Sequence, residues 1–153
     1  MGPLILPTGG TAYVDANAII YSVERVEPYR SLLAPMWEAA RAGRFTLASS
    51  ELVALEILVK PLRDGNVRLE MLFRSILDAA EMDLIPATLE TWEDAARIRA
   101  ETGLATPDAL HAATALRAGC ALFITNDTGF RRVQGLPVVV LDDLLRDSSE
   151  VQP

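Results

Sequence analysis

Asp15, Glu56, Asp108 and Asp127 are four carboxylates spread over most of the chain, and the sequence around them points them to one place. Asp15 ends the apolar stretch Thr11-Ala-Tyr-Val14, and Asp127 follows the apolar run at 121–125, so each stands where a strand hands over to a loop or helix. In parallel α/β sheets, that edge is where sites form. Carboxylates gathered there suit a hard cation such as Mg²⁺ or Mn²⁺. Such ions prefer oxygen ligands, Mg²⁺ at about 2.0–2.1 Å, and keep waters beside one or two carboxylates and a substrate phosphate. Without a cation, like charges within ~4–6 Å disfavour ionisation and raise one or more pKa values. Zinc fits poorly, because a structural zinc site takes four Cys or His ligands and the chain has one of each, His111 and Cys120.

Each acid has a plainer explanation when taken alone. A negative charge in the first turn of a helix, as Asp108 would be, gains about 0.3–1 kcal/mol from the helix dipole. Glu56 lies four residues before Lys60, the favourable order for a surface ion pair worth roughly 0.2–0.5 kcal/mol. Asp127 sits in Asn126-Asp-Thr-Gly129 and could be a turn residue. Asp15 resists such a reading, since an acid closing a buried strand needs a partner or a solvated cleft. His111, one turn after Asp108, reads as a hydrogen-bond partner or packed residue rather than a metal ligand. Asp142-Asp143 reads as the ordinary start of a last short helix, and the charges of 90–99 as a solvated helix face.

The elements that must position these groups alternate. Strands are expected at 11–14, 45–48, 82–85, 121–124 and 137–141, with helical stretches between them, which predicts a single-domain three-layer α/β sandwich: a central parallel sheet flanked by helices. Ser50 is placed to cap a helix through Leu52, Leu55, Glu56 and Val59 that Pro61 stops. Thr106 is the expected N-cap of another, with Pro107 in its first position, an alanine-rich body suited to close packing on the sheet, and a stop at Gly119. Apolar residues at three- and four-residue spacing predict helices over 69–80 and 89–101 around the strand at 82–85. Arg63-Asp-Gly-Asn66 is the clearest loop. Gly9-Gly10 precedes the first strand, so it lacks the strand–loop–helix context of a phosphate-binding loop.

A chain of 153 residues with 50% hydrophobic content supports one domain with one core. Its expected division is an N-terminal extension at 1–10, a catalytic domain at 11–146 and a polar tail at 147–153. No apolar run approaches the ~20 residues of a membrane span, and the first residues lack the pattern of a signal peptide, so a cytoplasmic protein with no membrane partner is expected. The lone Cys120 beside an apolar strand reads as a small buried hydrophobe. A net charge of -7 and a pI near 4.7 argue against binding of nucleic acid through a broad basic surface. Thirteen of the fourteen basic residues are Arg, which suits local bidentate phosphate contact.

The segments Val14-Asp-Ala-Asn17, Ser49-Ser-Glu-Leu-Val-Ala-Leu-Glu56 with Pro61 after it, Thr106-Pro-Asp-Ala-Leu-His-Ala-Ala-Thr-Ala115 and Ile124-Thr-Asn-Asp-Thr-Gly-Phe130 resemble, in order and spacing, those of PIN-domain ribonucleases. The likeness is closest to the VapC-like toxins of toxin-antitoxin pairs and runs over 12–145. It implies that Asp15, Glu56, Asp108 and Asp127 are the metal-binding, catalytic acids, with Asn17 and Thr125 supporting them by hydrogen bonds. It further implies Mg²⁺- or Mn²⁺-dependent cleavage of RNA, a homodimer, and a cognate antitoxin whose tail enters the cleft. Lys60 and Arg63 after the Glu56 helix, with Arg131 and Arg132 after the Asp127 loop, are the candidates for gripping RNA. Apolar residues of the helices at 32–40 and 69–77 could seat a second copy or an antitoxin.

Two other enzyme classes place acids at parallel strand ends. A phosphoryl-accepting receiver domain needs a lysine beyond the last strand, and the only lysine is Lys60; a haloacid dehalogenase-like phosphatase needs a carboxylate where Asn17 stands. The alternative from another class is a catalytically degenerate PIN-like interaction module, against which the intact set of four acids counts.

Overall fold

A computed structural model of the protein describes residues 3–149. Its elements run β1 (Thr11–Val14), α1 (Ala16–Val23), α2 (Tyr29–Arg41), β2 (Thr46–Ser50), α3 (Leu52–Asp64), α4 (Val67–Leu77), β3 (Met82–Ile85), α5 (Leu89–Thr102), α6 (Thr106–Arg117), β4 (Leu122–Thr125), a 3-10 turn (Thr128–Arg132), β5 (Val138–Val140) and α7 (Leu141–Ser149). All pairings are parallel and the strand order is β3-β2-β1-β4-β5, with Tyr13 beside Ala48 on one side and Phe123 on the other. The chain leaves β1 for one half of the sheet and returns to its other side through β4. That reversal opens a crevice at the carboxyl ends of β1 and β4.

The strands are short apolar runs because both faces are covered. Ala12, Val14, Leu47 and Ile124 face a core closed by Ile19 of α1, Leu33, Met36 and Trp37 of α2, Ile57 of α3 and Phe73 of α4. Tyr13, Ala48 and Phe123, one residue out of phase, face a second core built from α5, α6 and Phe130. This period-two alternation is what a strand with two buried faces requires. In α6, Ala109, Ala112, Ala113 and Ala115 are buried, so small side chains let the helix lie close to the sheet as expected. Cys120 is buried and free, and burial pushes its thiol up to about 11.

The expected strands stand within two residues of their places, whereas several boundaries differ. Pro61 does not stop α3: the helix runs one further turn to Asp64, so Arg63 and Asp64 are helical and only Gly65 and Asn66 connect to α4. Closure falls to Gly65, left-handed at φ 64°, with the Asn66 amide bonded to the Pro61 carbonyl at 2.9 Å, a helix-ending arrangement that favours glycine. Glu51, not Ser50, is the N-cap position of α3, although the Ser50 hydroxyl still accepts from the Leu52 amide at 3.1 Å. In α6 the N-cap is Ala105, with Thr106 first and Pro107 second. The Thr106 hydroxyl instead accepts from Arg99 at 3.2 Å, and a proline is tolerated throughout a first turn whose amides have no helical partner. The eight-residue α1, too short to show a periodicity of its own, was not singled out in the sequence. In the expected N-terminal extension Leu4 joins the core, and α7 carries the chain through residue 149; the rest of the expected tail lies outside the described residues.

Candidate active site

Asp15 is the N-cap of α1. Its Oδ1 accepts the Ala18 amide at 3.1 Å and its Oδ2 the Thr125 hydroxyl at 2.5 Å. It is only 6% exposed, and burial pushes its carboxyl above the usual range, opposed by those two hydrogen bonds and by His111, and assisted by the charge of Glu56. Asp127 caps the 3-10 turn after β4 and accepts the Gly129 amide at 2.8 Å. A side chain at Gly129 would put its Cβ 3.0 Å from Asp127 Oδ1, so the tightness of this turn depends on glycine. Thr125 ties the two strand ends together, giving its proton to Asp15 and accepting from the Asp127 amide at 3.0 Å.

Asp108 stands half-buried in the first turn of α6. Burial, then the charge of Asp127, raises its carboxyl above the usual range, with Glu56 adding to the rise and His111 opposing it. Glu56 projects from α3, and its Oε1 lies 2.5 Å from Nε2 of the fully buried His111. The alternative for Glu56, a surface pair with Lys60, is not made: Lys60 reaches Glu24 at 2.8 Å. His111 is the packed, hydrogen-bonded residue its sequence context suggested, but its partners come from β1 and α3 rather than from its own helix.

All four acids line one cleft of about 80 Å³, together with Ala16, Asn17, His111 and Phe130. The Thr125 hydroxyl is bonded to Asp15, while Asn17 lines the cleft with its side chain exposed. None of the four cationic candidates lines this cleft. Lys60 pairs with Glu24, Arg63 with Asp64, Arg131 with Asp143, and Arg132 donates to the carbonyls of Thr102 at 2.7 Å and Gly129 at 3.3 Å. Sequence reasoning missed Tyr13, whose phenol reaches His111 and which stacks on Phe123 at 5.0 Å, and Phe130, which lines the cleft. Neither carried a signal of its own in the sequence: Tyr13 lies inside β1 two residues before Asp15, and Phe130 lies in the 3-10 turn three residues after Asp127.

By donor type the cleft fits a hard divalent cation, since its carboxylate oxygens carry charge that burial penalises and a cation would relieve. Among the described residues no group of three or more His, Cys, Asp or Glu side chains stands in an arrangement that could itself hold a metal ion. Such an ion takes only one or two carboxylates directly and the rest through water, and here Asp15, Glu56 and Asp127 each keep an oxygen on a protein donor. No helix among the described residues is long and apolar enough to cross a membrane.

The fold is similar to that of VapBC2 from Rickettsia felis, solved with a promoter DNA fragment, at 17% identity over 85% of this chain and 98% of that one, TM-score 0.68. It is likewise similar to a toxin-antitoxin complex from Klebsiella pneumoniae, at 22% identity over 84% and 96%, TM-score 0.62. A third similar structure is VapBC-5 from Mycobacterium tuberculosis, at 20% identity over 88% and 98%, TM-score 0.53. No curated protein matches the chain. The sequence itself matches the PIN domain over residues 12–136, a stretch that takes in the whole acidic cleft, and the chain belongs to the PIN domain family.

Proposed function

We propose that this protein is a Mg²⁺- or Mn²⁺-dependent endoribonuclease that hydrolyses RNA phosphodiester bonds as the toxin of a toxin-antitoxin pair. The observation that carries the reading is the meeting of Asp15, Glu56, Asp108 and Asp127, from four separate segments, on the wall of one cleft at the carboxyl edge of a parallel sheet. Membership of the PIN domain family supports a nuclease. The similar folds belong to toxin-antitoxin assemblies, which supports an antitoxin partner for this chain as well.

In this reading the four carboxylates hold the metal, with Thr125 and Asn17 supporting them. When bound, the ion polarises a phosphoryl oxygen and lowers the pKa of a water. Asp15, fixed from both oxygens, forms the rigid wall of the site. Asp108 is open to the cleft with a raised pKa, and among the described residues no donor holds its carboxylate, so it is the acid placed to take a proton from the attacking water. Lys60, Arg63, Arg131 and Arg132 contact the RNA backbone. The exposed ion pairs of Lys60, Arg63 and Arg131 are each worth only about 0–1 kcal/mol, so exchange for phosphate costs little. A homodimer is supported by Leu55, Val59 and Leu62, which are 63%, 48% and 55% exposed along one face of α3. Of the helices considered earlier for this role, α2 turns Leu33, Met36 and Trp37 inward, while α4 leaves Met71 and Leu72 exposed.

The test is incubation of the partner-free protein with total bacterial RNA, with Mn²⁺ or with chelator, mapping new 5′ ends against Asp108→Asn. Discrete metal-dependent cuts that fall roughly 100-fold or more in the variant are expected. Equal cutting by the variant would remove Asp108 from the site, and absence of both cutting and Mn²⁺ binding would favour the interaction module.

A further inference from the structure

A line of hydrogen bonds enters the cleft from below. The Ser50 amide donates to the Tyr13 phenol oxygen at 2.9 Å; that oxygen lies 2.6 Å from His111 Nδ1, and His111 Nε2 lies 2.5 Å from Glu56 Oε1. Tyr13 and His111 are both shut off from solvent, and every fully buried side-chain nitrogen and oxygen among the described residues has a partner. The direction of the line follows from what each group can do. A backbone amide only donates, so the phenol oxygen is an acceptor there and its single proton is left for Nδ1. The neighbouring Ser49 hydroxyl already gives its proton to the Val14 carbonyl at 2.7 Å. With Nδ1 accepting, the imidazole proton sits on Nε2 and is donated to Glu56.

We propose that Tyr13 and His111 are positioning residues: the Ser50 amide, through the Tyr13 phenol, fixes His111 as the Nε2–H tautomer, and that N–H engages Glu56 Oε1 so that Oε2 alone faces the cleft. Glu56 thereby contributes one oxygen from a fixed direction. The assignment to catalysis rests on the metal-nuclease reading above; the tautomer does not.

His111 is the only histidine in the chain, so ¹⁵N-histidine labelling gives the spectrum of one ring. In the metal-free protein at neutral pH the proton should be found on Nε2, and Tyr13→Phe should lose that preference while keeping the aromatic stack. Calorimetric Mn²⁺ titration should show affinity about 10- to 100-fold weaker in His111→Leu, with most of the loss recovered in His111→Gln, whose amide can still donate toward Glu56. A proton on Nδ1 in the parent would overturn the proposal, as would parental Mn²⁺ affinity in a His111→Leu protein whose circular dichroism shows it folded. If His111→Leu does not fold, the paired readings on the parent and Tyr13→Phe decide alone. The expected tautomer and Mn²⁺ losses in a protein that cuts no RNA would sink the nuclease and leave the positioning intact. RNA cutting with the proton on Nδ1 would do the reverse.

Discussion

Asp15 and Asp108 carry charge into surroundings that resist it, and this should be visible in stability before any RNA is added. Burial raises both carboxyls above the ~3.9 of an unfolded Asp, so the folded state binds their protons more tightly. The stabilisation this gives is complete below the unfolded value and is lost as pH rises through the raised native ones. Asn at 108 cannot ionise. In chelator, the urea midpoint of Asp108→Asn relative to the parent should therefore improve as pH rises from about 4 toward neutrality, while Mn²⁺ should stabilise the parent more than the variant; a gap that is flat or narrows with pH would contradict the burial argument. Thr125→Val removes the hydroxyl from Asp15 and leaves the Asp127 amide without its acceptor. Its Mn²⁺ affinity should drop roughly 10- to 100-fold, with Thr125→Ser close to the parent. For RNA contact, Arg131→Ala is the cleaner change, because Arg132 also braces two backbone carbonyls. The expected result is weaker binding with a salt slope shallower by about 1.

Elements bring these residues together, and here the packing of α6 matters most. Ala112 is fully buried one residue beyond His111. Ala112→Leu should cost about 1–3 kcal/mol by overpacking and weaken Mn²⁺ binding without touching an acid, read by denaturation and calorimetry together. Gly65→Ala, by contrast, should cost about 1 kcal/mol for its left-handed backbone and leave Mn²⁺ affinity alone. Strand positions were legible in the sequence because strands buried on both faces are continuous apolar runs bounded by turn residues. The four acids were legible because each closes a strand or sits in a helix beside one. Local propensity misjudged Pro61, whose buried ring is held in a helix that Gly65 ends. The Tyr13–His111–Glu56 line was not legible at all, since it joins residues 98 and 55 positions apart through side-chain directions that no spacing rule encodes.

At the scale of the whole molecule, the exposed face of α3 is the test of assembly. Leu55→Asp with Leu62→Asp should convert a dimer to a monomer in light scattering while far-UV circular dichroism stays unchanged; a parent that is already monomeric at tens of micromolar would dismiss the dimer. The order of the sheet has a consequence in time. β4 lies beside β1, and the Thr125 hydroxyl that fixes Asp15 comes 110 residues after it. Pairing over such separations is slow and cannot be nucleated locally. A nascent chain halted before β4 would carry three of the acids but lack Asp127, the Thr125 bond and the second wall of the crevice. In the proposed reading, nuclease activity is therefore withheld until synthesis is well past residue 127, and no shorter fragment should cut RNA.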